Sequence, residues 1–185
     1  MFQELLEKLA QVLEASSVPY MVIGGQAVLL YGEPRLTRDI DITLGVGPEH
    51  ASDMLAVAEA SGLRVLVENV NDFVRQTLIL PCQQAATGIR VDFIFSFSPY
   101  EQQALQRARI VEMGQARVRF ASLEDLIIHK IFAGRPRDLE DVRIILLKNK
   151  SLDVDYIREW LAEFEQALNE PYGERFDALW KDTRR

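Results

Sequence analysis

Apolar residues recur every three or four positions at the start of the chain: Phe2, Leu5, Leu6, Leu9, Val12 and Leu13. That spacing lays one apolar stripe along a helix and predicts one over residues 2–16. Pro19 stops its continuation. Tyr20-Met21-Val22-Ile23 then reads as a short buried strand, and Gly24-Gly25 as a tight turn. Residues 26–31 follow as a short helix closed by Gly32. Asp39-Ile40-Asp41-Ile42-Thr43-Leu44 switches to period two, so both aspartates share one strand face and the isoleucines the other. Gly47-Pro48 opens a helix to Ser61, with proline at its favoured first position. Strands are expected near 63–67 and 73–80. Residues 89–97, IRVDFIFSF, form the most strand-like run in the chain. Ser98-Pro99-Tyr100-Glu101 carries a capping box for the next helix. Residues 110–113 and 116–120 flank Gly114-Gln115 as a hairpin.

From Ser122 the pattern turns helical almost to the end. Ser122 with Asp125 predicts a capped helix to Phe132. Asp138 is read either as the cap of a second helix, to Lys148, or equally as a site residue, and Asp153 as the start of a third, to Leu168. The expected organisation is an α/β (α+β) core over 1–120 and a helical part over 121–185 packed on it. The expected architecture is a mixed sheet flanked by helices.

The chain has 185 residues, long enough to bury a core without disulfides, and its one cysteine, Cys82, has no internal partner. No apolar run approaches the roughly 20 residues that cross a bilayer. The N-terminus carries acidic residues in an amphipathic pattern, unlike a signal peptide. These features predict a cytoplasmic protein with no membrane partner. A net charge of −7 argues against broad nucleic-acid binding, which needs a positive surface.

The chemistry concentrates in three places. Asp39 and Asp41, about 7 Å apart along a strand, suit hard cations that prefer oxygen ligands. Gly24-Gly25, just before a helix N-terminus, lets backbone N–H groups approach a phosphate. Asp92 interrupts an apolar strand, where an ionised carboxylate is costly unless paired or bound to metal. It is either a third metal ligand or the salt-bridge partner of Arg90 or another arginine. Arg35 and Thr37 either order the loop before the aspartates or, for Arg35, meet phosphate. His129 reads as structural, and Cys82 has no activating neighbour.

The order Gly24-Gly25, then Arg35-x-Thr37-x-Asp39-Ile40-Asp41, then Asp92 on a later strand resembles the nucleotidyltransferase superfamily that includes DNA polymerase β. More narrowly, the chain resembles the AbiEii-type toxin nucleotidyltransferases and their uncharacterised relatives. Lys130-Ile131-Phe132-Ala133, followed by Arg137-Asp138-Leu139-Glu140-Asp141, is similar to a segment of that group. The likeness covers residues 18–148. A glycine stands at position 25 where the superfamily often has serine, so the backbone must serve the phosphates alone.

The resemblance implies a minimal nucleotidyltransferase fold and an enzyme that releases pyrophosphate. Asp39, Asp41 and Asp92 would be catalytic and would hold Mg2+ or Mn2+. Gly24 and Gly25 would cradle the triphosphate, with Arg35 and Thr37 in the same nucleotide-binding set. Lys130 would neutralise triphosphate charge, and Asp141 would position Lys130 or the acceptor. The expected reaction moves a nucleoside monophosphate, from ATP or another nucleoside triphosphate, to a hydroxyl on a tRNA 3′ end, a protein or a small molecule. A toxin role with an antitoxin partner is part of that expectation. The alternatives are a non-catalytic nucleotide-binding module and an antibiotic-type small-molecule nucleotidyltransferase.

Overall fold

The computed structural model describes residues 1–34 and 36–184. In chain order it forms α1 (Phe2–Ala15), β1 (Tyr20–Ile23), α2 (Gly24–Tyr31), β2 (Asp39–Leu44), α3 (Ala51–Ala60), β3 (Leu63–Val65), α4 (Val70–Thr77), β4 (Ile79–Gln84) and β5 (Arg90–Phe95). It continues through α5 (Pro99–Gln106), β6 (Arg109–Met113), β7 (Ala116–Phe120), α6 (Leu123–Ala133), α7 (Pro136–Lys148), α8 (Val154–Leu168) and α9 (Tyr172–Thr183). The chain divides into two compact units, one of residues 1–26 and 36–121 and one of residues 27–35 and 122–185.

The first unit is built on a seven-stranded sheet in the order β3-β4-β5-β2-β1-β7-β6. The sheet is mixed: β2 runs parallel to β5 and β1 parallel to β7, while the other neighbours are antiparallel. Ile40 and Ile42 of β2 and Val91, Phe93 and Phe95 of β5 are buried in its core. Helix α1 lies against β7 and buries Leu5, Leu6, Leu9 and Leu13 of the predicted stripe together with Ala10, while Phe2 and Val12 are only part-buried. Burying each such side chain contributes about 1.5–3 kcal/mol.

The second unit is helical. Leu126, Ile127, Ile128 and Ile131 of α6 share its core with Val142, Ile145 and Leu146 of α7, Ile157 and Leu161 of α8, and Phe176 of α9. Its caps follow the sequence at Ser122, which accepts from Asp125 N–H, and at Asp153, which accepts from Tyr156 N–H. Among the described residues, no helix is long and apolar enough to cross a membrane.

Two expectations are corrected. Residues 73–77 form the end of α4, not the start of a strand, and β4 begins only at Ile79. Val70, Phe73, Val74 and Thr77 also satisfy helical spacing. Leu78, at φ +58°, ends that helix in a left-handed turn before the chain extends. Asp138 does not cap α7. That helix starts at Pro136 with Arg135 before it, because proline takes the first turn without losing a hydrogen bond. Asp138 is thereby free to point its carboxylate at Lys130.

Candidate active site

Strands β2 and β5 lie side by side, in register, with Asp39 opposite Arg90 and Asp41 opposite Asp92. Side chains alternate faces along a strand, so all four project from one face. They form a two-by-two grid of three carboxylates and one guanidinium. The intervening Ile40 and Val91 point into the core, which pins the register: a slip by one residue would bury the charges.

Each corner has a local cause. Thr37 Oγ1 donates to Asp39 Oδ1 at 3.2 Å and lies 3.3 Å from the Asp39 carbonyl oxygen. The buried Gln26 reaches the same carbonyl with Nε2 at 3.5 Å. Ile23 pairs with Asp41 across β1 and β2, which brings the start of α2 to the grid. Gly24 has φ +61°, and a Cβ there would overlap Asp41 Oδ2. Only glycine therefore allows the backbone to turn into α2 directly against the Asp41 carboxylate. Gly25 is buried within the first turn of that helix. Backbone N–H groups at a helix start favour negative charge, as in phosphate sites.

Asp92 is only 17% exposed, and Arg90 Nε approaches both its carboxylate oxygens, at 2.9 and 3.0 Å. The Asp92 hydrogen bond, then the charges of Asp92, Asp39 and Asp41, raise the Arg90 pKa above its ordinary value. Among the described residues, no three carboxylate, imidazole or thiol groups are gathered closely enough to hold a metal ion as they stand. The donor set nevertheless fits a hard divalent cation, which prefers oxygen ligands: three carboxylates share one face, with a glycine turn beside them.

The remaining predicted residues are Arg35, Lys130 and Asp141. Arg35 falls outside the described residues. Lys130 and Asp141 belong to the helical unit. There Lys130 Nζ contacts Asp138 Oδ1 at 2.7 Å and Asp141 Oδ2 at 2.8 Å, with the lysine side chain 6% exposed. Its neighbour His129 is part-buried, and burial pushes its pKa down to about 4; Lys130 lowers it further, against the pull of Asp125. Cys82 is buried beside Val91 on β5, and burial with the Asp92 charge pushes its thiol up to about 12, which removes it from nucleophilic chemistry.

Sequence reasoning did not count Arg90 or Gln26 as site residues. Arg90 was legible as a partner of Asp92, since positions two apart on a strand share a face. Gln26 carried no comparable signal. A groove of 390 Å3 lined by Val18, Pro19, Tyr20, Leu105 and the Glu14–Arg119 pair lies at the other end of β1 and contains none of the grid residues.

The mixed sheet and its flanking helices are shared with solved structures of nucleotidyltransferases. The antibiotic-resistance factor ANT(2'')-Ia matches with a TM-score of 0.63 at 17% identity, covering 91% of this chain and 95% of that one. An antigenic nucleotidyltransferase-like protein from Paracoccidioides brasiliensis gives 0.58 at 17%, covering 97% and 91%. The lincosamide antibiotic adenylyltransferase LnuA, bound to lincomycin, gives 0.54 at 17%, covering 77% and 94%. At these identities the likeness is one of fold. No curated protein matches the sequence. The chain belongs to the family described as nucleotidyltransferase of unknown function (DUF6036), which matches residues 1–184.

Proposed function

We propose that the protein is a metal-dependent enzyme that transfers a nucleoside monophosphate from a nucleoside triphosphate to a hydroxyl acceptor, with Asp39, Asp41 and Asp92 as its catalytic carboxylates. The observation that carries this reading is the grid: three aspartates on one face of β2 and β5, in register, against the glycine start of α2.

Asp39 and Asp41 would hold Mg2+ or Mn2+, with Asp92 completing the set. Bound there, a divalent cation would offset charge on the triphosphate and on the attacking and leaving oxygens. Thr37 and Gln26 fix Asp39, so its carboxylate needs little reorganisation to bind. Gly24 and Gly25 cradle phosphate through backbone N–H groups at the start of α2. Asp92 accepts the proton of the acceptor hydroxyl. The hydroxyl oxygen then forms a bond to the α-phosphorus, the bond to the β-phosphate bridging oxygen breaks, and pyrophosphate leaves. Through the resemblance, Arg35 and Lys130 are assigned to the triphosphate and Asp141 to positioning Lys130.

For the acceptor, a small hydroxyl-bearing molecule is favoured over RNA. The net charge of −7 repels a polyanion and attracts a cationic substrate. ANT(2'')-Ia has been solved with adenylyl-2''-tobramycin. The toxin-type reading, with a tRNA acceptor and an antitoxin partner, rests on the narrower sequence resemblance and is the second outcome of the same experiment.

The test is incubation with each of four α-labelled nucleoside triphosphates and magnesium, offered an aminoglycoside and lincosamide panel or total tRNA. Asp41→Asn is expected to lose at least about 10²–10³ of wild-type turnover, as loss of a group that stabilises transition-state charge does. Label on a small molecule supports the favoured acceptor, and label on RNA supports the toxin type. Equal turnover by wild type and Asp41→Asn would sink the carboxylate mechanism.

A further inference from the structure

We propose that Arg90 is a built-in counter-cation of the carboxylate grid, which holds Asp92 away from a divalent metal ion until that ion displaces it. The inference rests on the reading of Asp39, Asp41 and Asp92 as the metal-binding set, and it adds a residue that sets the affinity of that set.

The geometry assigns this role to Arg90 by position. It is the one cationic corner of the grid, two residues before Asp92 on the same strand face and directly across from Asp39. Its Nε meets both oxygens of the Asp92 carboxylate. Those are the atoms a metal ion would need, so guanidinium and ion compete for one carboxylate.

The competition is reversible because of exposure. The Arg90 side chain is 55% exposed, and ion pairs of this kind hold weakly in water. Its aliphatic stem can swing the charged end into solvent without breaking a core contact. Arginine keeps its charge throughout, so displacement means movement and not deprotonation. Arg90 also offsets part of the repulsion between carboxylates on neighbouring strands in the metal-free protein. The expected consequence is a site that binds a bare divalent ion weakly. The phosphate oxygens of a triphosphate would supply the negative charge that restores the balance when ion and nucleotide arrive together.

The experiment titrates Mn2+ into the nucleotide-free protein and counts bound ion by electron paramagnetic resonance. Wild type is compared with Arg90→Gln, Arg90→Lys and Asp41→Asn, each checked for native circular dichroism. Removing one positive charge from beside the carboxylates is expected to tighten Mn2+ binding about tenfold in Arg90→Gln. Arg90→Lys, which keeps the charge, is expected to stay near wild type. Equal or weaker binding by Arg90→Gln overturns the proposal, because Arg90 would then organise Asp92 for metal and not compete for it. A gain in Arg90→Lys as large as in Arg90→Gln also overturns it, because charge would not be the cause. The underlying metal reading fails separately, on equal Mn2+ binding by wild type and Asp41→Asn.

Discussion

Among the described residues, two clusters gather carboxylates about a cation, and they differ in what water can reach. On the sheet face, Arg90 sits among Asp39, Asp41 and Asp92 with its side chain 55% exposed. In the helical unit, Lys130 sits between Asp138 and Asp141 with its side chain 6% exposed. Solvent screens the first cluster, so its ion pair is weak and exchangeable. The second is shielded, so losing one partner leaves charge with no water to solvate it. Similar composition therefore gives a site that can trade its cation and a triad that cannot.

The sharpest way to break this comparison is Lys130→Met. It removes the cation between two largely buried carboxylates and is expected to cost about 3–5 kcal/mol in urea unfolding. Adding Asp138→Asn and Asp141→Asn to the same protein should recover most of that loss. A Lys130→Met protein as stable as wild type would move the lysine out of any structural role.

His129, the residue before Lys130 on α6, tests the helical unit by pH. Its folded pKa, about 4, lies below the ordinary 6.5, so the unfolded chain binds more protons between those values. Its contribution is complete above pH 6.5 and is lost as pH falls toward 4, up to about 3 kcal/mol. Unfolding free energy measured from pH 7 to 5 should therefore fall more steeply in wild type than in His129→Gln. Parallel slopes would mean that the imidazole titrates normally.

On the sheet face the smallest stability effect is expected from Gly24→Ala. The added Cβ meets Asp41 Oδ2 at a backbone angle that costs a non-glycine residue about 1–2 kcal/mol. Turnover should fall far more than stability, because the carboxylate must move. A variant that loses both in proportion would make Gly24 a folding residue only.

The grid was legible because it depends on local rules. Alternation in 39–44 and an aspartate inside the apolar run 89–97 put carboxylates on strand faces without knowledge of any partner. The terminal helical stripe, the hairpin and the caps at Ser98, Ser122 and Asp153 were legible for the same reason. Where two periods fitted one segment, the sequence misled: residues 73–77 satisfy strand and helix alike, and the helix was taken because β4 pairs with β5 only from Ile79 onward. Asp138 misled differently, since its capping pattern was outranked by Pro136.

What sequence alone determined was therefore the set of chemical groups and the face each occupies within its own element. Tertiary structure decided which groups meet. That Asp41 lies beside Asp92, that Arg90 and not a more distant arginine holds Asp92, and that Lys130 is buried between two aspartates all depend on strand order and helix packing. Those contacts join residues on separate elements or choose among several possible partners. Period and spacing act within one element, so they place a side chain on a face but leave its partner to be chosen by the fold.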